Sequence, residues 1–290
     1  MKLYFKAAVI LGFTSAVAAQ GVWAQQNKSA LDDQCWSLSF EDTFDTLSLW
    51  DPAEASQNSA GLWRTRYIWG RETIINNELQ FYIDPAQSAH SPFKINNSIL
   101  SISATPTPPE LKEVAIGQPY VSGVLTSEKS FAQQYGRFEV MAKVPEGQGL
   151  WSAFWLLPSF DQWPEGVAVL PEIDVMEHLG HQRNTYHTTL HTNQTGPLTS
   201  HPYDHTVKKK LTDDFHLYSA VWTPESVSWY LDGQWMVSHP TPDDFTRPVH
   251  FLLNLAVGGN WPGSPDNSTK FPASFNIDYV RAWTDNGNCS

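Results

Sequence analysis

Glu172, Asp174 and Glu177 fall within six residues whose other members are Ile173, Val175 and Met176. Those apolar, partly β-branched residues predict a strand with one buried face. Three crowded acids oppose one another's ionisation, so packing alone would not select them; acid/base chemistry would. Side chains alternate along a strand, so Glu172 and Asp174 share a face, while Glu177 points the other way if the strand is regular. One extra residue, a β-bulge at Val175 or Met176, returns Glu177 to their face. The two glutamates then stand roughly 13 Å apart along the strand, at about 3.3 Å per residue. Long side chains leaning inward on a concave sheet bring that to about 5 Å, the carboxylate spacing of a retaining glycosidase. One glutamate must be ionised to attack an anomeric carbon, and the other must hold a proton for the leaving oxygen. Asp174, between them, is placed to keep their protonation states apart.

Such a cluster needs a scaffold, and the rest of the chain reads as all-β. Phe138 to Val144 alternates strictly, with Phe138, Val140, Ala142 and Val144 on one face. Tyr186 to Thr192, His216 to Trp222, Ser226 to Asp232, Val249 to Val257 and Phe275 to Trp283 are further strand candidates. Asp232-Gly233 is a hairpin turn leading into Trp235-Met236-Val237, and Thr105 to Pro119, with its prolines, is a loop. Many strands in one chain predict a two-sheet β-jelly-roll sandwich whose curved inner face supplies a concave substrate cleft.

The 290 residues divide into a leader and one domain. Lys2, Lys6 and the apolar run Ala7 to Ala19 predict a signal peptide over residues 1–24, with Val22-Trp23-Ala24 or Val17-Ala18-Ala19 before the cleavage site. Residues 25–290 are then a single catalytic domain, secreted or periplasmic, not held in a membrane, and expected to be a monomer. The whole chain carries 18 basic and 30 acidic residues. Losing Lys2 and Lys6 makes the balance more acidic still, which argues against nucleic acid as a partner. Cys35 and Cys289 stand near opposite ends of the domain. In an oxidising compartment such a pair is expected to form a disulfide, with neighbouring termini as the requirement; two buried thiols are the alternative. Thirteen tryptophans suit a protein that stacks aromatic rings on pyranose faces. Trp151, Trp155 and Trp163 precede the acids, and Trp261 lies in the loop Gly258-Gly259-Asn260-Trp261-Pro262-Gly263.

The segment Glu172 to Glu177 resembles the bulged form of the active-site signature of glycoside hydrolase family 16. Ser122-Gly123, Tyr135 to Val140, Gly147 to Pro158, Asn254 to Gly263 and Ile277 to Arg281 are similar to successive blocks of that family. The resemblance implies a jelly-roll, endo-acting glycanase that retains anomeric configuration. It implies Glu172 as nucleophile, Asp174 as its support and Glu177 as acid/base. Asn77, Trp151, Trp155, His191 and Trp261 match positions lining the family's cleft. His191 also shares a strand face with His187, within reach of the acids. No cofactor is implied for catalysis. Many members hold a structural calcium through an aspartate matching Asp278, although Thr43 stands before Phe44 where the family has an acid. The stretch Ser122 to Ser127 lacks the arginine common in laminarinase-like members, which shifts the expected substrate toward β-1,3-1,4-glucans or glucose-rich exopolysaccharides. Rival readings are a galactan hydrolase of the agarase or carrageenase type, a transglycosylase, and a non-catalytic glucan-binding protein, a class that loses the two glutamates. His178, His181, His187 and His191 raise a metalloenzyme, but their spacing on strands is not a zinc pattern.

Overall fold

A computed structural model describes residues 31, 33–51, 61–86, 88–160 and 171–288. Residues 1–24, expected to be a leader, together with Trp163 and Cys289, lie outside these residues. Sixteen strands are present among them: β1 (Trp36–Asp42), β2 (Gln80–Tyr82), β3 (Phe93–Asn96), β4 (Ile99–Pro106), β5 (Tyr120–Ser122), β6 (Val124–Thr126), β7 (Gly136–Lys143) and β8 (Leu150–Pro158). The second half supplies β9 (Glu172–Leu179), β10 (Thr185–Thr192), β11 (Thr199–Thr206), β12 (His216–Trp222), β13 (Ser226–Leu231), β14 (Gln234–Pro240), β15 (Val249–Val257) and β16 (Ala273–Asp285). Helical structure among the described residues is confined to two short 3₁₀ turns, Asp33–Cys35 and Pro109–Leu111, and no helix there is long and apolar enough to cross a membrane.

The strands form two sheets packed as a β-jelly-roll sandwich. One runs β14-β13-β12-β7-β16-β4-β5-β2, with β1 also on β16 and β3 on β4; the other runs β11-β10-β9-β8-β15-β6. Alternation dictates the layering. Phe138, Val140 and Ala142 of β7 meet Phe154 and Leu156 of β8 and Phe251, Leu253 and Leu255 of β15 in one fully buried core. Phe251 is its hub, within 6.4 Å, ring centre to ring centre, of Phe40, Trp63, Phe131, Phe138 and Phe154. The alternate residues of the six-stranded sheet, Ala153, Trp155, Leu157 and Leu252, face outward and pack with Tyr67 and Tyr82. That outward face is the floor of the cleft described below.

Sequence and structure differ at the edges of elements. His216–Trp222 and Val249–Val257 have the expected bounds, and the ends of the other predicted strands move by up to three residues, the most at Pro240 of β14. Thr105 and Pro106 extend β4, pairing with Val121 and Tyr120, rather than opening the loop. Pro106 is tolerated because it ends its strand, where a missing N–H forfeits little. Asp232 (φ 49°) and Gly233 (φ 75°) form the expected tight turn between β13 and β14. At the chain ends β1 pairs with β16 from Trp36↔Asp285 to Asp42↔Val280, and Asn286 donates its backbone N–H to the Cys35 carbonyl.

Candidate active site

The acid strand carries the expected bulge. Against β8, Asp174 pairs with Trp155 and Met176 with Phe154, leaving Val175 as the extra residue. Against β10, Asp174 pairs with Thr189 and Glu177 with His187, so that Val175 and Met176 of β9 face the single residue Thr188 of β10. Ile173, Val175 and Met176 therefore all enter the core. Glu172, Asp174 and Glu177 border a single cleft of about 590 Å³ on the outward face.

Burial dominates the electrostatics. Asp174 is 2 % and Glu177 8 % exposed. Burial and the Glu172 charge push Glu177 up to about 8, opposed by hydrogen bonds from the Trp151 indole (3.1 Å) and the Thr189 hydroxyl (3.4 Å). Burial and the Glu177 charge raise Asp174 to about 6, while His191 pulls it down. Burial and then Asp174 raise Glu172 as well. Its side chain nevertheless keeps a quarter of its surface open to the cleft, with His191 Nε2 3.6 Å away. His191 Nε2 is 3.2 Å from Asp174 Oδ2, and Nδ1 is 2.8 Å from the Ser200 hydroxyl. Burial alone would lower His191; its hydrogen bond to Asp174 and the charges of Asp174 and Glu172 lift it to about 9. The positive charge thus sits beside Glu172 and Asp174, and Glu177 is held by neutral donors.

Residues 64–281 match the sequence model of glycosyl hydrolases family 16. The chain belongs to glycoside hydrolase family 16. It is 37 % identical to the endo-1,3-1,4-beta-glycanase ExsH of Rhizobium meliloti (strain 1021) over 273 residues, which take in 92 % of this chain and 56 % of that protein. It is 32 % identical over 264 residues to a beta-glucanase of Rhodothermus marinus, covering 86 % of this chain and 85 % of the relative. Among solved structures, the laminarinase catalytic domain of Thermotoga maritima MSB8 superposes with a TM-score of 0.70 at 31 % identity, covering 86 % of this chain and 98 % of that one. The chain spans little more than half the length of the first curated relatives it matches.

The family 16 cleft is walled by aromatic rings. Trp155 lies on its floor, 8 % exposed, with its indole N–H 2.8 Å from Asn254 Oδ1. Asn254 donates in turn to the Tyr82 hydroxyl at 3.1 Å. Trp261 is 42 % exposed and meets Trp151 edge-on at 5.2 Å, the half-open state of a ring that offers a face to a ligand. Trp151, Trp155, His191 and Trp261 all border the cleft with the three acids. Asn77 does not: its amide donates to Asn260 Oδ1 at 2.8 Å, and its neighbours Asn76 and Glu78 border the cleft instead. The physical reason is the turn, where Asn76 and Asn77 both adopt φ near +55°, so that Asn77 faces the Trp261 loop. His187 also stays out of the cleft. Asp204 and Gln182 oxygens hold its ring nitrogens at 2.7 Å, and it packs on Trp261 at 4.7 Å.

Sequence reading missed Tyr67, Trp69, Glu78, Thr189, Ser200 and Asn254, all of which border the cleft. Thr189 was within reach of the same alternation argument that placed His191. The others come from loops and strands whose pairing no local pattern announces. Asp278 is half-buried at an irregularity where β16 shifts register on β7 between Ile277 and Tyr279. Among the described residues, one group of at least three His, Cys, Asp or Glu side chains is close enough to share an ion, and it is Glu172, Asp174 and His191, not Asp278.

Proposed function

We propose that this family 16 hydrolase is an exported, retaining endo-glycosidase that cleaves internal β-1,3 or β-1,3-1,4 linkages of glucans by double displacement. The observation that carries the reading is the Val175 bulge, which puts Glu172 and Glu177 on one cleft with a cation beside only the first. In this reading Glu172, open to cleft water and 3.6 Å from His191, is the ionised nucleophile. His191 stabilises its negative charge against the opposing charge of Asp174, and Asp174 in turn holds His191 in place. Glu177, buried and raised to about 8, keeps its proton at neutral pH and delivers it to the leaving oxygen. It then accepts a proton from the water that releases the sugar. Trp261 and Trp155 supply apolar surface for pyranose faces. The endo-1,3-1,4-beta-glycanase and beta-glucanase relatives support β-glucan as the substrate class.

The test is product analysis on laminarin, lichenan, curdlan, agarose and carrageenan, with anomeric configuration followed by NMR. Oligosaccharides of β-configuration from laminarin or lichenan are expected. Cleavage of agarose or carrageenan alone would make it a galactan hydrolase, and longer chains in place of shorter ones a transglycosylase. Glu172→Gln is expected to abolish turnover while leaving glucan binding intact.

Two finer proposals accompany this reading. A Cys35–Cys289 disulfide is supported by the pairing of β1 with β16 and by the Asn286 to Cys35 hydrogen bond; mass spectrometry with and without reductant reads it. A calcium held by Asp278 would have to draw most of its oxygens from backbone carbonyls and water, because among the described residues no group of three His, Cys, Asp or Glu side chains includes it. A melting temperature unchanged by chelator would dismiss it.

A further inference from the structure

Glu78 is 6 % exposed, borders the cleft, and has no part in the acid strand. Its Oε2 accepts from the Gln80 amide at 2.6 Å and its Oε1 from the Asn76 amide at 3.1 Å. Both partners are neutral, so the buried charge is not compensated by a cation. Stability alone would favour an uncharged side chain here, because burying a carboxylate without an ionic partner is costly. Burial indeed pushes this carboxyl up to about 7, against the pull of the two amides.

The surroundings hold it rigidly. Gln80 Oε1 accepts the Val257 N–H at 2.7 Å, and the Asn76 carbonyl accepts the Asn260 N–H at 2.8 Å. The Gly258-Gly259 pair makes this approach possible. A Cβ at Gly258 would stand 2.5 Å from Leu79, and one at Gly259 would stand 3.0 Å from the Asn76 carbonyl oxygen. Two chain segments distant in sequence are thus locked together with one carboxylate at the join.

A carboxylate has about four acceptor sites, and the two amides use two. The remaining lone pairs suit sugar hydroxyls, which would make charge-assisted hydrogen bonds. The cleft lining also contains Glu172, Asp174 and Glu177 but no Lys or Arg, with His191 as its cation among the described residues. Above about pH 7, where Glu78 is ionised, an anionic sugar unit beside it would therefore meet like charge, and the binding test below is run there.

We propose that Glu78 is a substrate-binding, specificity-determining residue: it accepts hydroxyls of a neutral sugar unit and excludes units bearing sulfate or carboxylate. This rests on the glucan reading above. The test titrates a neutral β-1,3-1,4-gluco-oligosaccharide and its sulfated counterpart into Glu172→Gln protein and into the Glu172→Gln, Glu78→Gln double variant, with melting curves for both. The neutral sugar is expected to bind the double variant about tenfold or more weakly, as for a lost hydrogen bond to a charged group, and its advantage over the sulfated sugar is expected to shrink. Equal affinity and equal discrimination in two folded variants would overturn the role. Should Glu78→Gln instead unfold the chain, Glu78→Asp, which keeps the charge but withdraws it, must show the same loss of neutral-sugar affinity or the role falls. A wild-type enzyme that leaves every glucan intact while the titrations separate the variants would sink the glucanase reading and spare Glu78. Failure of the Glu172→Gln protein to bind the neutral sugar would sink both.

Discussion

The indole nitrogen of Trp229 lies 2.9 Å from the carbonyl oxygen of Asp174 and donates to it across the core. Trp229 belongs to β13 of the ten-stranded sheet, whereas Asp174 stands immediately before the bulged Val175 of the six-stranded sheet. The bulge that aims Glu177 is therefore braced from the opposite layer. Trp229→Phe keeps most of the packing and removes the donor. An orphaned buried carbonyl costs about 1–3 kcal/mol, and a small misplacement of a catalytic group costs up to about 100-fold in rate. We expect a folded protein with a lower melting temperature and at least about tenfold lower kcat. Unchanged kcat in the folded variant would show that the bulge holds its shape without Trp229.

Removing the carboxyl of Glu177, the proposed acid/base, should be chemically reparable. Glu177→Ala is expected to lose most turnover on glucans, and azide is expected to restore it with a β-glycosyl azide product, because the small anion can replace the missing base in the second step. An α-linked azide would contradict retention.

Activity and stability should respond oppositely to pH at Glu177. Catalysis needs Glu172 ionised and Glu177 (about 8) protonated, so kcat/KM should be bell-shaped, with its alkaline limb at about 8 and its acid limb above the ordinary carboxylate range, because burial and Asp174 raise Glu172. The folded-state pKa of Glu177 lies above its ordinary value of 4.5. Its contribution to stability is therefore fully present below about pH 4.5 and is lost as pH rises through about 8. Glu177→Gln, with no charge to bury, should melt higher than wild type at pH 9, by about 5 °C for a gain of roughly 2 kcal/mol. The two curves should converge below pH 4.5. A difference independent of pH would separate the effect from ionisation.

Trp261→Ala should weaken glucan affinity more than it weakens the fold, because this ring is 42 % exposed and rests on Trp151 and His187 rather than in the core. A rise in KM of about tenfold with a melting temperature within a few degrees of wild type is the expected pattern. Unfolding would place the ring among structural contacts instead.

Much of this site was legible because it is local. Alternation placed Glu172 and Asp174 together, and the misfit of Glu177 by one position called for a bulge that stands at Val175. Alternation also placed His191, which faces Glu172 across the β9–β10 ladder. What escaped was set by long-range pairing. Asn254 looks like any polar residue in an apolar strand until β15 is laid beside β8, where its amide meets the Trp155 indole. Glu78 sits in a turn whose backbone points Asn77 one way and its two neighbours the other. The aspartate between the glutamates was read as a tuner from position alone. That His191 shares this duty needed the 3.2 Å contact.

The cleft is completed by β15 and the loop after it, which leave the ribosome well after the acid strand β9. A nascent chain that has already made its three acids lacks Asn254, Trp261 and β15, the strand that pairs with β8 on the side away from β9. Chains that stop before Trp261 should therefore be inert, and hydrolytic power should arise only once β15 and its loop have been made.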